Sequence, residues 1–190
     1  MTSQSLSPED KKYLLELART AIKQAIEHQP PPDIDLSILS TVLKANGASF
    51  VTLTIKEQLR GCIGALEAYQ PLAVDVREHA IAAALEDYRF PPVSAGELST
   101  ITIEISRLTH PMPLTYSGTD SLIQNVHPGI DGVILSDGFR RATFLPQVWE
   151  QLPQPEDFLN HLCSKMGSNP DSWRKKHLDV STYQVEEFHE

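Results

Sequence analysis

Apolar residues recur first at helical spacing and then in strict alternation, and the switches between the two periods divide the chain into elements. Leu14, Ala18, Ala21, Ile22 and Ala25 share one helical stripe. Ser7, Pro8 and Asp10 supply an N-cap, a first helical residue and a capping-box acid in front of it. The helix stops before Pro30, Pro31 and Pro32, which cannot donate a helical N–H and predict an extended connector. A second, short helix is expected over 36–44, closed by Asn46 and Gly47. Val51, Leu53 and Ile55 then alternate with Phe50, Thr52 and Thr54, the period of a strand over 49–55, and 59–66 is its expected hairpin partner.

From 71 to 87 the period is helical again, with Leu72, Val76, Ala80, Ala83 and Ala84 on one stripe; so many alanines imply close packing on a sheet. Ile101, Ile103 and Ile105 alternate with Thr102, Glu104 and Ser106 as a half-buried strand. Segments 132–135 and 142–145 form an expected hairpin around Asp137-Gly138, a favoured turn dipeptide. Phe158, Leu159, Leu162 and Met166 mark a late helix ended by Gly167, and 178–188 is expected to be a final strand. Hairpins mixed with helices, without internal repeats, predict an α+β domain: a mainly antiparallel sheet with covering helices.

The chain has 190 residues, 41% of them hydrophobic, enough to build a core without disulfide or metal. A net charge of -9 opposes binding to nucleic acid or anionic lipid, and the densest basic run, Arg174-Lys175-Lys176, is too short to carry affinity by itself. Cys62 and Cys163 form no CxxC or Cys/His ligand spacing, so neither a disulfide framework nor a zinc site is expected, and a reduced, cytoplasmic setting follows. No basic-then-apolar leader and no run of ~20 apolar residues is visible, so neither export nor a membrane span is expected.

The segment Leu59-Arg-Gly-Cys-Ile-Gly64 places a thiol between two glycines and beside an arginine. In a strand, Arg60 and Cys62 share one face, while Leu59, Gly61 and Ile63 take the other. A cation ~6 Å from the sulfur in a sheltered site is worth about 3 kcal/mol, or about two pKa units toward thiolate. Cys62 is therefore a candidate nucleophile and Arg60 its stabiliser. A packed structural cysteine, with glycines that serve close approach, accounts for the same residues. Asp87 and Arg89 stand before Phe90-Pro91-Pro92, either flanking a ligand site with Gly61 and Gly64 or forming an ion pair that holds the loop. Gly129, Asp131 and Gly132 fit a turn. His110 and His127 precede prolines without a second ligand nearby, and Cys163 lies on the apolar stripe of the late helix. No metal or cofactor site is expected.

The run Leu59 to Gly64, with Phe50-Val-Thr-Leu before it and Asp87-Tyr-Arg-Phe-Pro after it, resembles the AMMECR1 domain family. Gly129-Ile-Asp-Gly132, Leu145-Pro-Gln-Val148, Phe158-Leu-Asn-His-Leu-Cys163 and Trp173 extend the resemblance from about Ser7 to Glu190. It implies one domain over 1–190, with a larger and a smaller subdomain (the latter roughly 111–175) and a cleft between them. It further implies an accessory or modifying protein that acts with a Memo-like protein and a radical SAM protein on a small molecule or peptide. The other reading is a non-catalytic interaction module. The chain departs from the family pattern at Phe139-Arg-Arg-Ala-Thr and Leu152-Pro-Gln-Pro, so loop geometry there is not carried over.

Overall fold

The computed structural model describes residues 5–190. In chain order its elements are α1 (Pro8–Ile26), α2 (Thr41–Lys44), β1 (Asn46–Ile55), β2 (Gln58–Gly64), β3 (Gln70–Pro71), α3 (Leu72–Leu85) and β4 (Thr102–Leu108). Then follow β5 (Met112–Pro113), α4 (Thr119–Asn125), β6 (Gly132–Asp137), β7 (Arg140–Phe144), α5 (Pro155–Lys165), α6 (Ser172–Lys175), β8 (Asp179–Tyr183) and β9 (Val185–His189). The result is an α+β fold of two compact units. One comprises the chain up to Leu108 together with Glu186–Glu190, and the other is Thr109–Val185.

The first unit is built on a sheet of order β2-β1-β4-β9, with β3 added beside β1. Strand β1 runs antiparallel to both β2 and β4. Val51, Leu53, Ile103 and Ile105 are all wholly buried on one face, where α1 and α3 cover them. Helix α1 begins where local chemistry dictates: Ser7 Oγ accepts from Asp10 N at 3.0 Å while Ser7 N donates to Asp10 Oδ2 at 3.1 Å, satisfying two of the helix-end groups. Helix α3 packs closely because its inner face is alanine. At Gly61 of β2, a Cβ would lie 2.1 Å from the carbonyl oxygen of Ala83, so only glycine fits against this helix.

The second unit has its own sheet, β5-β8-β6-β7, and its own core. Phe158, Leu159, Leu162 and Cys163 of α5 are wholly buried, and Trp149 stacks on Phe158 with ring centroids 3.7 Å apart. Gly167, at φ +77, terminates α5; Ser168 N donates to Cys163 O and Gly167 N to Ser164 O, which closes the last turn.

Several elements differ from the sequence expectation; β3, β5 and α6 are short additions to it. The short helix over 36–44 contracts to α2, which Ser40 caps through Oγ, and Asn46 and Gly47 open β1 instead of closing a helix. The final strand over 178–188 is two strands in two sheets. Gln184 makes the switch, its N–H donating to Thr109 Oγ1 and its carbonyl accepting from Thr109 N, both at 2.8 Å. Helix α4 was not foreseen, being only seven residues long with Gly118 at its N-cap.

Candidate functional site

Cys62 sits on β2, an edge strand, opposite Thr52 of β1. The thiol is partly buried, and Thr52 Oγ1 donates to its sulfur at 3.3 Å. Register continues this row to Glu104 of β4, also paired with Thr52, so Cys62, Thr52 and Glu104 lie abreast on the face of the sheet opposite the helices.

At an edge strand the outward N–H and C=O have no neighbouring strand to bond. Here side chains supply the missing partners. Cys62 N donates to Asp87 Oδ2 at 2.9 Å, and Arg89 Nη2 donates to Cys62 O at 3.2 Å. The two side chains are locked together, with Arg89 Nε 2.9 Å from Asp87 Oδ1 and Nη2 2.7 Å from Oδ2. Arg89 holds the Asp87 carboxyl far below the usual carboxylate range, and the N–H groups of Cys62 and Arg89 reinforce this against the cost of burial. Asp87 and Arg89 thus clamp the Cys62 peptide and fix where its thiol is presented.

Arg60 belongs to a different assembly. The pairing of β1 with β2 slips between Leu53 and Thr54, leaving Arg60 as the extra residue of a bulge. Its guanidinium meets Glu97 through Nε–Oε1 at 2.8 Å and Nη2–Oε2 at 3.3 Å, and Nη1 donates to Pro91 O at 2.9 Å. Glu97 also accepts from Ser94 N and Oγ, and Arg60 followed by Ser94 pulls its carboxyl down to about 2. The positive charge expected beside the thiol is therefore matched by a carboxylate, and Arg60 ties the 91–97 loop to β2.

Gly61 and Gly64 have packing reasons to be glycine. The first admits the α3 backbone; at the second a Cβ would lie 2.4 Å from the Phe50 ring and 2.5 Å from Ser49 O. Cys163 is wholly buried, and burial pushes its thiol up. Asp131 accepts from His127 N at 3.0 Å and its carbonyl accepts from Trp149 Nε1 at 2.7 Å, so this loop is held by its own bonds. Among the described residues, no group of three or more His, Cys, Asp or Glu side chains is arranged to hold a metal ion. No described helix is long and apolar enough to cross a membrane.

Thr52, Glu97 and Glu104 around β2 carried no signal in the sequence, nor did a buried polar cluster between β1 and α3 beyond one spacing. In that cluster Asp75 Oδ2 accepts from Ser49 Oγ at 2.7 Å and lies 3.1 Å from His79 Nδ1. The only local signal was the i, i+4 spacing of Asp75 and His79 on α3.

The AMMECR1 family model matches residues 15–188. A protein of Thermofilum pendens is 37% identical, across 96% of this chain and 91% of its own length. One of Methanothermobacter thermautotrophicus is 36% identical, across 97% and 96%. The crystal structure of uncharacterized protein PH0010 from Pyrococcus horikoshii is similar with a TM-score of 0.76 and 30% identity, covering 97% of this chain and 93% of that one.

Proposed function

The chain belongs to the AMMECR1 family, and on that premise we propose that it is an accessory or modifying protein that acts with Memo-like and radical SAM partners through the surface around Cys62. The observation that carries this reading is the clamp. Two ionised side chains are spent on the N–H and C=O of one residue, and that residue bears a partly buried thiol. Holding a reactive group in one geometry is what nucleophilic catalysis and covalent docking both require. In this reading Cys62 is the reacting group, Thr52 donates to its sulfur, and Asp87 and Arg89 are positioning residues. A small molecule or peptide is the substrate, approaching over Gly61 to Gly64.

One observation favours the second reading, a non-catalytic interaction module: Glu97 neutralises Arg60, which removes the unmatched cation that would acidify the thiol. A rate-versus-pH profile of Cys62 alkylation, with mass-spectrometric site assignment, separates the two. A reactive thiol whose profile moves to higher pH in Arg60→Met supports the catalytic role; an unreactive one, with partner binding unchanged in Cys62→Ser, supports the module. Affinity capture between this chain and purified Memo-like and radical SAM proteins tests the partnership. No retention of either protein would end it.

A further inference from the structure

Two stretches that the site around Cys62 does not use are brought together by the second unit. One is Phe139-Arg140-Arg141, at the tip of the β6–β7 hairpin. The other is Arg174-Lys175-Lys176, the densest basic run in the chain. Gly138 turns the hairpin at φ +62, and Phe139, next to it, is fully exposed. An ion pair from Lys176 to Asp137 fastens α6 to the base of this tip. Arg140 Nη1 donates to Gly167 O at 3.1 Å and to Ser168 Oγ at 3.2 Å, fastening the tip to the end of α5. From α5, Lys165 Nζ donates to Thr143 O at 2.9 Å.

One corner of this unit therefore gathers Arg140, Lys165, Arg174, Lys175 and Lys176. Carboxylates near these cations include Asp137, paired with Lys176, Asp171, paired with Lys175, and Asp179, which faces Ser136 across the strands. Arg140 and Lys165 are held by neutral groups, while Arg174 also feels the charge of Asp171. Arg174 donates to Asn160 Oδ1 and stacks over Trp173, with 4.0 Å from its guanidinium carbon to the ring centroid. These bonds fix the cations in place without cancelling their charge. In a chain of net charge -9, this local excess of positive charge is a departure that association can exploit. A fully exposed phenylalanine ring beside arginines joins two residue types that interfaces enrich.

We propose that the β6–β7 hairpin tip and α6 form a docking surface for an acidic segment of a protein partner, whose apolar side chains pack on Phe139. Charge complementarity selects an acidic protein segment. Nucleic acid is disfavoured, because the phosphate backbone would meet the strong negative charge of the remainder of the chain. Nothing in the chemistry of this surface draws on Cys62.

The test is a selection of displayed peptides on the full-length protein. The selected peptides are measured by fluorescence anisotropy, against labelled single-stranded DNA as the competing class. We expect enrichment of peptides in which Asp or Glu flanks apolar side chains that can pack on Phe139, with binding that weakens as salt is raised. Phe139→Ser should weaken them at least tenfold, and the pair Arg140→Glu, Lys175→Glu by more. Ile38→Ser, at an exposed apolar residue of the other unit, should change nothing. Cys62→Ser should also leave binding unchanged, which keeps this test separate from that of the site around Cys62. Since Phe139 touches nothing it could unpack, its variant should retain the wild-type melting temperature. No enrichment, enrichment indifferent to these substitutions, or tight binding of the DNA alone would overturn the proposal.

Discussion

The two cysteines occupy opposite kinds of place, and the contrast separates a presented residue from a packed one. Cys163 is wholly buried within the apolar stripe of α5, surrounded by Phe158, Leu159 and Leu162, and burial raises its thiol. Cys62 is partly exposed on an edge strand, where its peptide is bonded by Asp87 and Arg89 and its sulfur by Thr52. The bonds from Asp87 and Arg89 serve the peptide of an edge strand, and only the Thr52 bond reaches the sulfur. Ionised side chains at Cys62 fix a position, whereas apolar neighbours at Cys163 fill a volume.

Chemical reactivity should show the largest difference. Iodoacetamide should label Cys62 in the native protein, while Cys163 should wait for unfolding. For a domain stable by about 5 kcal/mol or more, that protects Cys163 by roughly a thousandfold or more. Peptide mass spectrometry over a time course reads both sites at once. Equal rates would erase the contrast.

Next in size is Gly61→Ala. The added methyl would sit 2.1 Å from the Ala83 carbonyl oxygen, and neither the strand nor the helix has a flexible end that can give way. The expected cost is about 3 kcal/mol or more, read as a fall in the urea midpoint. If the variant is as stable as wild type, the close approach of β2 to α3 is wrong, and the glycine would have to be explained by a ligand.

Cys163→Ala should cost about 1 to 2 kcal/mol, the transfer and cavity terms of one small buried group. Alkylation of Cys62 and peptide binding should be untouched. A loss of binding at unchanged melting temperature would assign Cys163 a role that its surroundings do not suggest.

How much of this contrast was legible in the sequence depends on the range of the interactions. Cys163 was placed correctly, because an apolar stripe at i, i+3 and i+4 is a local pattern. The first-unit strands were visible for the same reason, as Val51 to Ile55 and Ile101 to Ile105 alternate cleanly. The hairpin of β1 and β2 was expected, but the conformation of its turn was not, because Lys56 and Glu57 adopt positive φ (50 and 64) without the Asn-Gly chemistry that marks such turns. The residues of the candidate site could be named from the sequence, but not the partners they find. The segment around Cys62 stood out, yet Arg60 finds Glu97 across 37 residues, and the bulge that turns Arg60 aside depends on β1. A sequence pattern shows which residues could share a face; it does not show which carboxylate reaches an arginine first.

The smallest effect expected concerns that carboxylate, and it bears on whether Cys62 is more than presented. Arg60 and then Ser94 hold the Glu97 carboxyl down to about 2, from an ordinary value of 4.5. A depressed carboxylate adds stability that is complete above its ordinary value and is lost as pH falls toward its folded value. Glu97→Gln should therefore be slightly less stable than wild type at neutral pH, by under about 1 kcal/mol for a partly exposed pair. That difference should close as pH falls from 4.5 to about 2. The clamp should outlast it, because the Asp87 carboxyl is held lower still. The same substitution leaves the Arg60 charge unmatched, so it should move Cys62 alkylation toward lower pH, by about half a unit where solvent screens the pair. Cys163 should not respond. Parallel acid denaturation and alkylation profiles of wild type and Glu97→Gln measure both shifts. A Cys62 profile that stays fixed would show that Arg60 serves the 91–97 loop alone.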